Sequence, residues 1–204
     1  MLIRNATIDD LDTAIALAYG SGPEMYDYLF KTGTSSAQDF MKFEFKSGKG
    51  LCGFNNLRLG IVNDMPVVSG SFFDKREYDR IALGTVINLF TYFGPIKAIP
   101  VIARIINIER ISKAPKKGEI YLANFCVDSS MRSKGIGSEF LTQSIDAYKK
   151  EGYQVFGLDV LMSNPRAEKL YSQTGLVITE VKPFKTNRLN LHIPGSKKME
   201  MKLQ

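Results

Sequence analysis

Apolar positions along this chain fall into short blocks whose spacing switches between strand-like and helix-like periods. Leu2 to Ala6 reads as a first strand, and Thr7 with Asp10 three residues on makes a capping box with Asp in place of Glu or Gln. Leu11, Ile15, Leu17 and Ala18 then mark a short helix that stops at Gly20. Two further helices are expected from Pro23 to Phe30 and from Ser36 to Phe45, the latter with Phe40, Met41, Phe43 and Phe45 on an imperfect apolar face. Leu57 to Val62 and Val67 to Asp74 are rich in β-branched and aromatic residues and flank Asn63-Asp64-Met65-Pro66, which has hairpin turn chemistry. Ile120 to Val127 is the next strand. Ile136, Phe140, Leu141, Ile145 and Tyr148 recur at helical spacing until Gly152. Tyr153 to Met162 returns to strand character. Asn164 is placed as an N-cap with Pro165 at the first helical position and Gly175 past the end, which predicts a helix of about ten residues. Leu176 to Val181 and Lys198 to Leu203 close as strands. The pattern predicts a layered α/β fold.

One segment does not fit that economy. Arg80 to Ile111 stands between the third and fourth strands, and Ala82 to Ala103 carries a single charged residue, Lys97. It is long enough to span a bilayer, but Gly94-Pro95 and Pro100 interrupt it, and a crossing would put neighbouring strands of one sheet on opposite sides of the membrane. The expectation is no transmembrane segment but a helical insertion, about 82 to 93 and 96 to 111, broken at Gly94-Pro95. Its apolar side would be buried on the domain or on a twin subunit, making a homodimer a candidate assembly, and it could wall a pocket, with a membrane-surface role as the lesser alternative.

The chemistry concentrates at the switch from the fourth strand to the following helix. Residues 132 to 138 read Arg-Ser-Lys-Gly-Ile-Gly-Ser. Gly135 and Gly137 can take positive φ and let several backbone N–H groups converge, the helix behind brings the positive end of its dipole, and Arg132 and Lys134 add charge. A phosphate is the natural occupant. The dinucleotide fingerprint fails because its third small residue would be Phe140, and the Gly-Lys-Ser/Thr of a P-loop is absent. Downstream, Asn164-Pro165-Arg166-Ala167-Glu168-Lys169-Leu170-Tyr171-Ser172-Gln173-Thr174-Gly175-Leu176 gives an N-x-x-A-x-x-L-Y-x-x-x-G-[FL] pattern. The pair of motifs, in this order, resembles the GNAT superfamily of acyl-CoA-dependent N-acetyltransferases, strongly from about Tyr121 to Glu180 and loosely elsewhere.

That resemblance implies a mixed, mostly antiparallel central sheet flanked by helices, with the insertion between its third and fourth strands, acetyl-CoA as co-substrate and an amine as acceptor. Phe125, Cys126 and Val127 would present main-chain groups to the pantetheine arm and a backbone N–H to the thioester carbonyl. Arg132, Ser133, Lys134, Gly135, Ile136, Gly137 and Ser138 would take the diphosphate. Asn164 would bind near the thiol end, and Tyr171 would protonate the departing thiolate while also contacting the cofactor. No base is assigned: Glu119 is the nearest acid on the N-terminal side of the fourth strand, and Tyr121, Ala123 and Asn124 nearer its centre are not carboxylates. The structural alternatives are a plain glycine turn, solvated Arg132 and Lys134, Asn164 as a cap only, and Tyr171 as packed core.

Composition is compatible. At 204 residues and 44% hydrophobic content the chain can bury a full core as a single domain, 1–204, with the insertion at about 80–111 and a cofactor-binding core at about 120–180. The net charge of +6 suits an anionic ligand, a nucleic acid or an acidic membrane surface alike; no nucleic-acid reading motif is present. Two cysteines, Cys52 and Cys126, and one His192 argue for a reducing compartment and against a histidine metal cluster, so no metal is expected. No secretory leader is visible, and a cytoplasmic location is expected. The acceptor is a small-molecule or peptide amine; a catalytically silent acyl-CoA-binding module is the alternative function.

Overall fold

The computed structural model describes residues 1–109, 114–183 and 195–203. His192 therefore lies outside the described residues. Seven strands form one sheet in the order β1-β2-β3-β4-β5-β7-β6, with β1 at Leu2–Asn5, β2 at Arg58–Val62, β3 at Met65–Phe73, β4 at Glu119–Val127, β5 at Val155–Leu161, β6 at Val177–Lys182 and β7 at Ser196–Lys202. Every neighbouring pair is antiparallel except β4 and β5. A parallel pair needs a crossover, and α5 (Ile136–Lys150) supplies it. Helices α1 (Leu11–Gly20), α2 (Pro23–Phe30), α3 (Ala37–Ser47) and α4 (Lys75–Glu109) enclose one core cluster, and α5 with α6 (Pro165–Gln173) belongs to a second. The mixed sheet flanked by helices, with the helical insertion between the third and fourth strands, is the architecture expected from the sequence.

Local chemistry accounts for most boundaries. Asn63 and Asp64 take φ of 49° and 62°, so the β2–β3 hairpin turns on two left-handed residues, as a tight turn between right-twisted strands requires. The Ser36 hydroxyl accepts from the Asp39 N–H at 3.2 Å and caps α3. Phe140, fully buried, stands where a dinucleotide loop would need a small residue. Here the sheet supplies the glycine: a Cβ on Gly70 would lie 2.9 Å from Leu122 Cδ1 and 3.0 Å from Phe140 Cε1.

The insertion differs from expectation in two ways. Helix α4 starts at Lys75 rather than near 82, because Asp74 and Glu77 form a reciprocal cap: Asp74 Oδ1 accepts from the Glu77 N–H at 2.9 Å, and Glu77 Oε2 from the Asp74 N–H at 3.2 Å. The break falls where expected, with Gly94 at φ 75° and ψ 168°. The second difference is cover. Leu89, Ala98 and Val101 are buried in the α1–α3 core cluster, but Leu83, Ile87, Phe90, Ile96, Ile99 and Ile106 are exposed. By length and composition Lys75–Ile108 is apolar enough to cross a membrane. Yet Phe73 and Tyr121, which flank the insertion, pair in one sheet, so it leaves and returns to the same place.

Candidate active site

Two departures from regular pairing open the sheet at its centre. β4 and β5 pair from Glu119↔Val155 to Leu122↔Leu158, then stop, although β4 continues to Val127 and β5 to Leu161. On its other side β4 carries one extra residue: Ser69 opposes Cys126 while Ser71 opposes Ala123, so Gly70 faces both Asn124 and Phe125. Asn124 is the bulged residue, with φ 55°.

A left-handed asparagine in a strand costs energy unless its side chain is held, and here it is. The Tyr26 hydroxyl donates to Asn124 Oδ1. Asn124 Nδ2 donates to Leu51 O at 3.2 Å and lies 2.9 Å from the Ser71 hydroxyl, while the Ser69 hydroxyl donates to Asn124 O at 2.8 Å. All four side chains are buried. This network fixes the direction of the Phe125, Cys126 and Val127 main chain that follows, and ties it to α2.

Beyond the split lies a cleft of ≈ 380 Å³. It gathers Phe125, Cys126, Val127, Arg132, Ser133, Gly135, Ile136, Gly137, Ser138, Asn164 and Tyr171, which the sequence had singled out separately. Lys134 is the exception: its side chain is exposed, with Nζ 3.6 Å from Met131 Sδ, and it does not line the cleft.

The loop before α5 is strained in a useful way. Ser133 and Gly135 take φ of 64° and 80°, and Gly135 is an N-cap with no side chain to offer. The first intrahelical bond runs from the Glu139 N–H to Gly135 O. The N–H groups of Ile136, Gly137 and Ser138 therefore stay uncapped at the cleft wall, with the positive end of a 15-residue helix behind them. A Cβ on Gly137 would come within 3.1 Å of Leu170 Cδ2 and 3.2 Å of Val127 Cγ2, so this glycine lets α5 approach α6 and β4.

Charge agrees with that geometry. Arg132, Arg166 and Lys169 line the cleft, and among the described residues no carboxylate does. Arg132 Nε donates to Val127 O at 3.2 Å, and Arg166 Nη2 to the Ser133 hydroxyl at 3.1 Å, tying α6 to the loop. Arg166 and Lys169 occupy unspecified places of the second motif, and the sequence signal for them was only their charge on the first turns of α6. Gly20 and Ser21, also in the lining, reach it from the end of α1. Gly20 abuts Cys126, where a Cβ would stand 3.1 Å from Sγ. That contact has no local sequence signal.

Asn164 Oδ1 accepts from the Ala167 N–H at 3.1 Å, so the residue caps α6 while lining the cleft. Tyr171 is buried, with its ring 5.8 Å from that of Phe125. Burial, reinforced by the Cys126 thiol, pushes its phenol pKa above the ordinary value. Burial also raises the Cys126 thiol against the opposing pull of Arg132, so it is kept as SH rather than thiolate.

Glu119, the nearest acid on the N-terminal side of the fourth strand, is buried outside the cleft. Its Oε1 is 2.9 Å from Lys198 Nζ, and its Oε2 accepts from the Lys116 N–H at 2.8 Å. Burial works against the Lys198 ammonium, but pairing with Glu200 and Glu119 outweighs it and raises its pKa. Asp159 is likewise engaged, accepting from the Tyr121 hydroxyl at 2.8 Å and Lys182 at 3.0 Å. Among the described residues no group of acids, cysteines or histidines could hold a metal ion.

Comparison with known proteins places this arrangement. No curated protein matches the chain in sequence. Among solved structures, an N-acetyltransferase from Staphylococcus aureus Mu50 is 15% identical with a TM-score of 0.70 over 98% of this chain and 100% of that one. An acetyltransferase is 18% identical with a TM-score of 0.65 over 100% of both chains. The Salmonella typhimurium protein yncA, assigned as an acetyltransferase and solved with its cofactor acetyl-CoA, is 13% identical with a TM-score of 0.59 over 100% of this chain and 94% of that one. At such identities the likeness is one of fold. The acetyltransferase (GNAT) family model matches residues 72–176, just over half of the 204-residue chain and all of the split strand, the uncapped helix and the Asn164–Tyr171 turn. The chain belongs to the GNAT acetyltransferase family.

Proposed function

We propose that the protein is an N-acetyltransferase that moves the acetyl group of acetyl-CoA to a primary amine by direct attack in a ternary complex. The observation that carries this reading is the meeting, in one cleft, of the uncapped α5 N-terminus, the free end of β4 and the buried Tyr171 phenol. The residues fit the co-substrate: Gly135 has open space where a Cβ would stand, as a cradle for a diphosphate needs, and the lining is cationic without acids. When bound, acetyl-CoA supplies an acetyl group activated as a thioester.

The N–H groups of Ile136, Gly137 and Ser138 and the Arg132 guanidinium hold the diphosphate, with Arg166 and Lys169 adding charge. The Phe125–Val127 main chain, aimed by the Asn124 network, lies beside the pantetheine arm and offers an N–H to the acyl oxygen. Asn164 orients the thiol end. Tyr171 holds its proton throughout the working pH range and donates a hydrogen bond to sulfur as negative charge develops there. Because a thiol has pKa about 8.5 and the phenol lies above its ordinary 10, this donation helps most while charge is still building, before the thiolate is complete. With no carboxylate among the described lining residues, the amine attacks in its neutral form, and the proton its nitrogen then sheds passes to water while the departing sulfur is protonated in turn as the C–S bond breaks.

The test is a panel of amines (amino acids, polyamines, aminoglycosides, peptide N-termini) with acetyl-CoA, reading acetylated product by mass. Transfer to one class supports the reading. Acetyl-CoA binding with no transfer to any amine would instead support a silent acyl-CoA-binding module. The domain 1–204 is proposed to act as one unit in the cytoplasm.

A further inference from the structure

The outer face of α4 is built the wrong way round for a helix in water. A surface helix normally buries an apolar stripe and shows a polar one. Here the inner stripe is apolar and buried, with Ile81, Leu89, Ala98 and Val101 packed inward. The outer stripe is apolar too: Leu83, Val86, Ile87 and Phe90 recur at three- and four-residue spacing before the Gly94 break, and Ile96, Ile99 and Ile106 after it. Ile96 is 82% exposed, and Leu83 and Ile99 are each 62% exposed. Both halves set their inner sides on the same core cluster, so both outer stripes turn away from it. An exposed apolar run of this length marks a surface that something covers.

Charge identifies the cover. From Arg80 to Gly118 the sequence holds seven basic residues and one acid, Glu109, a net of +6. The whole chain has 27 basic and 21 acidic residues, also +6, so the rest of the protein is neutral and its entire excess charge accompanies this helix. Three of the seven are on the helix: Lys97 is exposed beside Ile96 and Ile99, whereas Arg80 donates to Asn56 Oδ1 at 2.9 Å and Arg104 to the Tyr28 carbonyl at 3.1 Å, and four more follow in the sequence between Arg110 and Lys117. A second copy packed through this helix would bring two basic sequence segments together. An anionic bilayer surface takes both features, since isoleucine and phenylalanine enter the headgroup boundary while lysine and arginine stay at lipid phosphates.

We propose that the outer face of α4 docks the protein, peripherally and reversibly, on an anionic lipid surface. The test is co-flotation of the full chain with vesicles of phosphatidylcholine alone and of phosphatidylcholine with about 30% phosphatidylserine, a content chosen to give a strongly anionic surface. Expected is binding to the anionic vesicles, weakened by salt and fully extracted by carbonate. Ile87→Glu with Phe90→Glu, and separately Ile96→Glu with Ile99→Glu, should each lower partitioning about tenfold or more. Circular dichroism and acetyl-CoA affinity should stay as in the wild type, which separates this proposal from the enzymatic reading. No binding to anionic vesicles at low salt overturns it. So does a dimer in light scattering that the same substitutions dissociate, or carbonate-resistant partition, which would mean a spanning helix.

Discussion

Replacing Gly135 with valine should abolish cofactor binding without unfolding the protein. Gly135 sits at φ 80°, and apart from its chain neighbours no atom lies within 4 Å of its Cβ position, so the main cost of the substitution is backbone strain. That strain is about 1–2 kcal/mol for an ordinary residue and somewhat more for a β-branched one, within the roughly 5–15 kcal/mol of a typical domain. The isopropyl group would occupy the open space beside the Ile136, Gly137 and Ser138 donors. Hydrogen bonds to a charged group contribute about 1.5–3 kcal/mol each, so displacing a diphosphate from two of them predicts a Kd raised by about 10²-fold or more. Gly152, past the other end of α5, is the control: it has φ 88° and equally open surroundings, but does not line the cleft. Gly152→Val should lose comparable stability and keep its affinity. The assay is calorimetric titration with acetyl-CoA beside thermal unfolding of both variants. A Gly135→Val protein that binds as tightly as Gly152→Val would refute the cradle.

The Asn124 network should matter through the strand it aims. Tyr26→Phe and Asn124→Gly, which remove hydrogen bonds while tolerating the bulge, should lower kcat about tenfold with the Kd for acetyl-CoA little changed; equal loss in both would point to a merely structural role. If the acceptor must be neutral, kcat/KM should rise with pH up to the acceptor's own pKa and show no alkaline fall below about pH 10 from Tyr171, whose pKa is raised. An alkaline limb removed by Tyr171→Phe would contradict this. Asp10 is held at about 2 by its hydrogen bond to Arg4, below its ordinary 3.8. Its contribution, about 1 kcal/mol once solvent screening at the half-exposed Arg4 is allowed for, is therefore present above pH ~4 and lost as pH falls toward ~2. The urea midpoints of wild type and Asp10→Asn should converge over that window.

Elements whose signals are local were legible in the sequence: Pro23 and Phe30 bound α2 as read, and Asn164 with Pro165 opens α6. The start of α4 was legible in principle, because Asp74-x-x-Glu77 is a cap motif, but the apolar run beyond Arg80 drew the boundary inward. The bulge was not. Asn124 looks like any polar strand residue, and its left-handed backbone exists only because Tyr26 and Ser71 arrive from 98 and 53 residues away. The cleft's remote wall, Gly20 against Cys126, is likewise a product of tertiary packing that no spacing rule encodes. Nor could periodicity say which side of α4 would find cover, because both its sides are apolar.

That acetyl transfer in this cleft runs through the Tyr171 hydroxyl is tested most directly by Tyr171→Phe. The substitution keeps the ring packed against Phe125 and deletes one hydroxyl, so acetyl-CoA affinity should persist. With the best amine from the panel, single-turnover transfer at saturating acetyl-CoA should fall by about 10² or more. A wild-type single-turnover rate in Tyr171→Phe, with acetyl-CoA bound equally well, would contradict the account.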